Sequence, residues 1–278
     1  MLATLIIVFR EMIEAGLIIG IVMSATRGVP RRGAWVTYGV LGGIFGACLV
    51  ASSAGAISSA MEGIGQELFN VGILALAVMM LTWHNVWMAR HGRELAAQMK
   101  EVGGAVAAGK RSLMALSIVV GVAVLREGAE VVLFLYGILL SGNDSVGEVA
   151  LGGTLGFALG GALGVFMYMG LLRVPMRHLF KVTGWLIALL AAGMAAQAAS
   201  LLEQAQIVTA WSQVVWDSSH MVSGSSVLGK TLHTLIGYTD RPTGMQLAVY
   251  ATTLATIFTL MRLFGRVQTR RAILPQQA

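Results

Sequence analysis

The sequence predicts an all-α, polytopic membrane protein with seven transmembrane helices: an inverted repeat of two three-helix units, then a C-terminal helix. Three observations predict it. The 278-residue chain is 56% hydrophobic and only 12% charged, whereas soluble domains carry about 25% charged residues. Its apolar residues gather in runs near the ~20 residues that a helix needs to cross a bilayer. Two of those runs carry the same pattern of charges, Arg10-Glu11-Met12-Ile13-Glu14 and Arg126-Glu127-Gly128-Ala129-Glu130.

The spans fall at about 2–25, 35–57, 66–89, 113–141, 147–171, 178–202 and 244–264. The first lacks a basic flank ahead of it and holds three charges, so it is expected to be a retained helix rather than a signal peptide. Basic residues follow the first span (Arg27, Arg31, Arg32), the third (Arg90, Arg93, Lys100, Lys110, Arg111), the fifth (Arg173, Arg177, Lys181) and the seventh (Arg262, Arg266, Arg270, Arg271). These segments alternate as one side of a membrane must, and the other side has only Lys230 and Arg241. The positive-inside rule then puts the N-terminus outside and the C-terminus in the cytoplasm. This placement also accounts for the formal charge of +6 without nucleic acid as a partner.

The outer side is acidic, with Glu62, Glu67, Asp144, Glu148, Glu203, Asp217 and Asp240. That is either a solvated face or a weak funnel for cations. A basic, Ala-rich linker at about 90–112 is expected to lie as an amphipathic helix on the cytoplasmic surface. The outer segment at about 203–243 is the longest connection and carries Trp211, Trp216, His220 and His233. Cys48 is expected to be a packing residue. The 16 methionines are scattered through apolar spans and make no copper motif.

Spans one to three (about 1–90) resemble spans four to six (about 113–203). Beside the charged motif, Gly42-Gly43-x-x-Gly46 matches Gly152-Gly153-x-x-Gly156, and Leu68-Phe69-x-Val71 matches Leu179-Phe180-x-Val182. Three spans per unit force the second copy to run upside down. This is an architecture of secondary transporters, with the site at the midplane between the halves.

An ionisable group at that depth costs from ~2.5 to more than 10 kcal/mol, which makes six of them hard to explain as scaffolding. Residues three apart share a helix face, so Glu11 and Glu14 point together, as do Glu127 and Glu130. If the first and fourth helices face each other, four carboxylates converge on a hard, all-oxygen site suited to Fe³⁺, Ca²⁺, Mg²⁺ or Mn²⁺. Arg10 and Arg126 each stand four residues before a glutamate and can pair with it along the helix. The bland alternative is a pair of structural ion networks. Glu67, Glu203, Asp217 and His220 are weaker candidates for a second metal site at the outer mouth, the last two if their segment is helical. His84, beside Trp83, fits a snorkelling position at the inner interface better than a ligand.

The two R-E-x-x-E motifs, Gln66-Glu67-Leu68-Phe69 with Thr82-Trp83, and Trp216-Asp217-x-Ser219 leading to Gly237-Tyr238-x-x-x-Pro242 together make the chain resemble the oxidase-dependent iron permease family, in particular its short bacterial members. The resemblance spans essentially the whole chain. It implies seven helices, a multi-pass location in the bacterial inner membrane, and inward transport of ferric iron, or of ferrous iron coupled to oxidation. It implies the motif glutamates as ligands and Arg10 and Arg126 as their partners. It implies iron as substrate rather than a resident cofactor, and a separate periplasmic iron-oxidising or iron-donor protein. The alternatives are a permease for Mn²⁺ or Pb²⁺, or a membrane di-iron carboxylate enzyme. Di-iron bundles use Glu-x-x-His, and both motifs here end in glutamate.

Overall fold

The computed structural model describes residues 1–60, 66–140, 145–170, 176–224 and 226–271. Its elements are α1 (Leu2–Ala25), α2 (Arg32–Ala60), α3 (Gln66–Ala107), α4 (Met114–Leu140), α5 (Val146–Tyr168), α6 (Met176–Gln204), α7 (Val227–Ile236) and α8 (Gly244–Arg271). Among the described residues there is no strand, only an isolated bridge between Val214 and Thr243. Segments of α2, α3, α5, α6 and α8 are long and apolar enough to cross a membrane. The α1 and α4 helices have 24 and 27 residues, and each holds one charged motif. With ten residues, α7 is about 15 Å long and too short to span. The expected break near residue 90 is absent, for α3 continues as one helix through the basic linker to Ala107. No proline interrupts that stretch, and its Ala, Gln and Lys residues favour helix.

Helix ends follow local chemistry. Arg32 Nη1 donates to the Met23 carbonyl at 2.8 Å, where the C-terminal carbonyls of α1 favour a cation. Ser145 and Glu148 form a reciprocal capping box on α5, which satisfies amide groups that have no partner inside the helix. Thr243 does the same for α8: its hydroxyl accepts from the Gln246 amide at 3.2 Å, and the Gln246 side chain accepts from the Thr243 amide at 3.2 Å.

The chain divides into two compact units. The first holds α1, α2, the part of α3 from Arg93, α4 and α5. Glycine determines its packing. A methyl group placed on Gly156 would lie 2.6 Å from the Leu5 carbonyl oxygen, 3.0 Å from the Phe9 nitrogen and 3.0 Å from Val8 Cβ. On Gly43 it would lie 2.8 Å from the Gly121 carbonyl oxygen, 2.9 Å from the Leu125 nitrogen and 2.7 Å from Val124 Cβ. These are equivalent surroundings, since Leu5, Val8 and Phe9 precede the Arg10 motif by the same steps as Gly121, Val124 and Leu125 precede the Arg126 motif. The equivalence extends outward. Gly152 meets Met1 as Gly39 meets Ser117, and Gly160 meets Met12 as Ala47 meets Gly128. Hence α1 runs parallel to α5, and α2 parallel to α4. Small residues every fourth position let the backbones approach, as close packing between helices in lipid requires.

The glycine register differs from the sequence match. Gly43 corresponds to Gly156 and Gly39 to Gly152, while Gly42 has open space around it. Identical doublets line up in the sequence, but contact follows the four-residue spacing of one helix face. A cluster of Val22, Val36, Leu116 and Val120 packs the ends of α1, α2 and α4 with Val106 of α3. Cys48 is exposed on α2 rather than packed.

The second unit holds α3 up to Gly92, α6 from Val182, α7 and α8. Buried Asn85 donates to the Gly184 carbonyl at 2.8 Å and joins α3 to α6. Trp185 meets Phe258 at 5.7 Å between ring centres, and Arg262 lies 4.0 Å over that same ring. Gly237 ends α7 with φ +69° and touches Gly193 of α6. Both the left-handed backbone and the close approach need glycine there.

Candidate metal site

The glycine contacts seat each motif helix on a partner helix in the first unit. Gly156 and Gly160 seat α1 at Phe9 and Met12, on either side of Arg10 and Glu11. Gly43 and Ala47 seat α4 at Leu125 and Gly128, on either side of Arg126 and Glu127. One carboxylate oxygen from each of Glu11, Glu127 and Glu130 lies within 4.8 Å of those from the other two. At that separation, and an effective dielectric near 20, each ionised pair repels by about 3–4 kcal/mol. Such a cluster favours a multivalent cation between the oxygens, and carboxylate oxygens favour hard or borderline metals.

Glu14 stands outside this trio. Arg10 Nε is 2.9 Å from its carboxylate and Arg10 Nη1 is 3.9 Å from Glu11. In the second motif Arg126 Nε is 3.2 Å from Glu130 and 3.6 Å from Glu127. Both i, i+4 pairs expected from the spacing are therefore present. The two copies differ in exposure: the Arg10 side chain is 3% accessible and the Arg126 side chain 34%. Counted together, four carboxylates and two guanidinium groups carry a formal charge of −2 when ionised.

The weaker candidates fall elsewhere. The Glu67 side chain lies outside the described residues, as do Glu62 and Asp144. Glu203, at the end of α6, accepts from the Thr243 hydroxyl at 3.0 Å on both oxygens. It thus braces the cap of α8, a role that the linear distance between the two residues concealed. The segment carrying Asp217 and His220 is not helical, so the turn that would bring them together is not formed. Asp217 instead pairs with Arg241 at 2.9 Å and accepts from the Ser219 hydroxyl at 2.6 Å. The Ser219 bonds and Arg241 pull its carboxyl down to about 2. His84 is buried while its neighbour Trp83 is exposed, which is the reverse of a snorkelling position.

Five helices long and apolar enough to cross a bilayer mark a multi-pass membrane protein, and its first unit holds a cluster of acidic side chains. The iron permease FTR1 family matches residues 1–273. The ferrous iron permease EfeU of Escherichia coli O6:H1 is 31% identical over 256 residues, covering 90% of this chain and 91% of its own length. That of Yersinia pestis is 30% identical over 256 residues, covering 90% and 89%. That of Shigella flexneri is 33% identical over 187 residues, covering 66% and 78%. No solved structure matches. The chain belongs to the iron permease FTR1 family.

Proposed function

We propose that this protein is an iron permease of the bacterial inner membrane that moves iron into the cytoplasm, with Glu11, Glu14, Glu127 and Glu130 as successive ligands. One observation carries the reading: Glu11 of α1 meets Glu127 and Glu130 of α4 across helices seated in equivalent ways. In this reading α1 and α4 cross the membrane with the five more apolar helices, making seven spans, N-terminus outside. Two three-helix units inverted about an axis in the bilayer plane require α1 and α5 to run in one direction, and α2 and α4 in the other. The parallel pairs α1–α5 and α2–α4 agree with that requirement.

The chemistry follows from charge. A group with formal charge −2 is neutralised by one divalent ion, which it can hold and then release. A trivalent ion would leave an excess of positive charge in a medium that penalises it. This balance favours entry as Fe²⁺, in keeping with the relatives named ferrous iron permeases. Ferric iron handed over by a periplasmic oxidase or donor protein is the second reading. Arg10 and Arg126 hold Glu14 and Glu130 in place between ions, and release them as the metal replaces the guanidinium as counter-charge.

Uptake of radioactive iron by a permease-deficient strain tests this, with iron supplied as Fe²⁺ under ascorbate or as a ferric chelate. Wild type should accumulate Fe²⁺ without added oxidase, and Glu→Gln at 11, 127 or 130 should abolish uptake. Normal uptake by those variants defeats the reading. Uptake of the ferric form alone moves the assignment to Fe³⁺.

A further inference from the structure

In the second unit, α7 ends far from the level at which its neighbours begin and end. The end of α6 and the start of α8 share one level, because Glu203 accepts from the Thr243 hydroxyl. From there the two helices run antiparallel, and Trp185 of α6 meets Phe258 of α8 farther down. Gly237, the turn that ends α7, touches both helices. A methyl group on it would lie 2.8 Å from Gly193 Cα and 2.7 Å from the Tyr250 ring. Gly193 is ten residues before Glu203, and Tyr250 is seven after Thr243. At 1.5 Å per residue, Gly237 therefore sits ~10–15 Å below the Glu203–Thr243 level.

The lengths of the spans fix what that depth means. The apolar segments of α6 and α8 are Lys181–Gln204 and Gly244–Leu263. If Gly237 lay outside the hydrocarbon core, α6 would have only the stretch from Gly193 back to Lys181, ~18 Å, to cross it. From Tyr250 to Leu263, α8 would have ~20 Å. The core is ~30 Å thick, so neither would reach. Gly237 thus falls near the midplane, and the ten residues of α7 match half the core in length. Leu228 and Ile236 are exposed on α7, and both are apolar, as a surface facing lipid requires. The six residues from Gly237 to Thr243 can cover ~20 Å when extended, enough to return.

A chain that turns inside the hydrocarbon needs partners for its polar backbone groups, or water beside it. The turn has partners. The Ile236 carbonyl accepts from the Tyr250 hydroxyl, the His233 carbonyl from the Gly237 amide, and the Tyr238 carbonyl from His233 Nδ1 at 2.7 Å. It also has room for water. A pocket of about 210 Å³ is lined by Gln197 and Ser200 of α6, by Tyr238 and Asp240 of the returning segment and by Gln246 of α8, among others. That volume holds about seven waters at ~30 Å³ each. Gln197 and Ser200 are polar residues inside an apolar span, and both face it.

We propose that α7 is a re-entrant helix: it enters the membrane from the side on which α6 ends, turns at Gly237 near the midplane, and holds open a water-filled vestibule against the Gln197 and Ser200 face of α6. The vestibule suits small hydrated solutes. In transport it gives a hydrated ion an aqueous way from the outer side to the middle of the bilayer. That role rests on the permease reading; the re-entrant helix does not.

The test uses the full chain with Cys48→Ala, which leaves no thiol, in right-side-out membrane vesicles. Single cysteines are exposed to a membrane-impermeant methanethiosulfonate. Gln197→Cys and Ser200→Cys should react although they lie inside a span, and Ser200→Cys is nearly isosteric should the first fail to fold. Ile236→Cys should resist the reagent although no protein covers it, and a nitroxide placed there should be relaxed by oxygen more than by a water-soluble nickel chelate. Reaction at Ile236→Cys as fast as at Ser212→Cys in the exposed outer segment, with the nitroxide in water, overturns the re-entrant helix. Unreactive cysteines at both 197 and 200 overturn the vestibule. Labelling seen only in inside-out vesicles reverses the orientation given above and leaves the re-entrant helix standing. Labelling of Ser200→Cys should lower its Fe²⁺ uptake several-fold against the same variant unlabelled, and equal uptake removes the vestibule from the transport route. Wild-type protein that carries no iron would instead sink the permease reading and leave the labelling pattern intact.

Discussion

Alanine at Gly156 tests the seating of the motif helices most directly. The added methyl would press on the Leu5 carbonyl oxygen at 2.6 Å and on the Phe9 nitrogen at 3.0 Å, and backbone atoms cannot rotate aside. Overpacking of this kind costs about 1–3 kcal/mol, and direct contact with backbone argues for the upper half of that range. Replacing glycine within a helix returns about 1 kcal/mol, so the net loss should be about 1–2 kcal/mol. Gly43→Ala meets equivalent atoms at 2.7–2.9 Å and should lose a similar amount. Gly153, with its nearest neighbour at 3.7 Å, and Gly42, with none within 4 Å, are the built-in controls, and alanine there should be neutral or stabilising. Thermal unfolding in nanodiscs, followed by near-ultraviolet circular dichroism, ranks the four variants. Iron uptake should fall with Gly156→Ala and Gly43→Ala, because each displaces a backbone within a few residues of a motif arginine. Equal melting temperatures for all four, or losses at Gly42 and Gly153 instead, would refute both the packing and the register.

Arg10→Ala should cost about 3–5 kcal/mol, since it strips the partner from a buried carboxylate. Arg126→Ala should cost clearly less, because a third of that side chain is not covered by protein whereas Arg10 is enclosed; melting curves of the two variants compare them. Glu203→Gln should lower the melting temperature while leaving iron uptake near normal, because Glu203 accepts from the Thr243 hydroxyl; loss of uptake without loss of stability would make it a transport ligand instead. The Asp217 carboxyl is lowered from 3.8 to about 2, so its bridge to Arg241 contributes fully above the unfolded value and fades as pH falls from about 4 toward 2. Hydrogen exchange at the Ser219 amide should rise across that window, and Asp217→Asn should abolish the change.

The sequence made the hydrophobic spans legible because bilayer thickness imposes one length on all of them. It also exposed the paired motifs, because six charges in apolar runs are hard to explain as scaffolding. Helix rotation was beyond it. The doublets Gly42-Gly43 and Gly152-Gly153 align by identity, yet Gly39 and Gly43 are the residues that touch α4. The continuity of α3 was missed because a change to basic, polar composition marks the edge of a membrane without marking the end of a helix. The pocket lined by Gln197, Ser200, Asp240 and Gln246 gave no signal at all: its lining comes from positions 193–246, gathered only when α7 folds back against α6.

Each motif helix rests on a glycine helix from the opposite half of the chain, and that has a consequence for biosynthesis. Gly156 leaves the ribosome about 150 residues after Leu5, which at 5–20 residues per second is a delay of roughly 8–30 s. Throughout that interval the seam of α1 has no glycine helix to pack on. Maturation therefore waits for the fifth helix, and a chain truncated before it should be cleared by membrane proteases rather than persist as a half-built carrier.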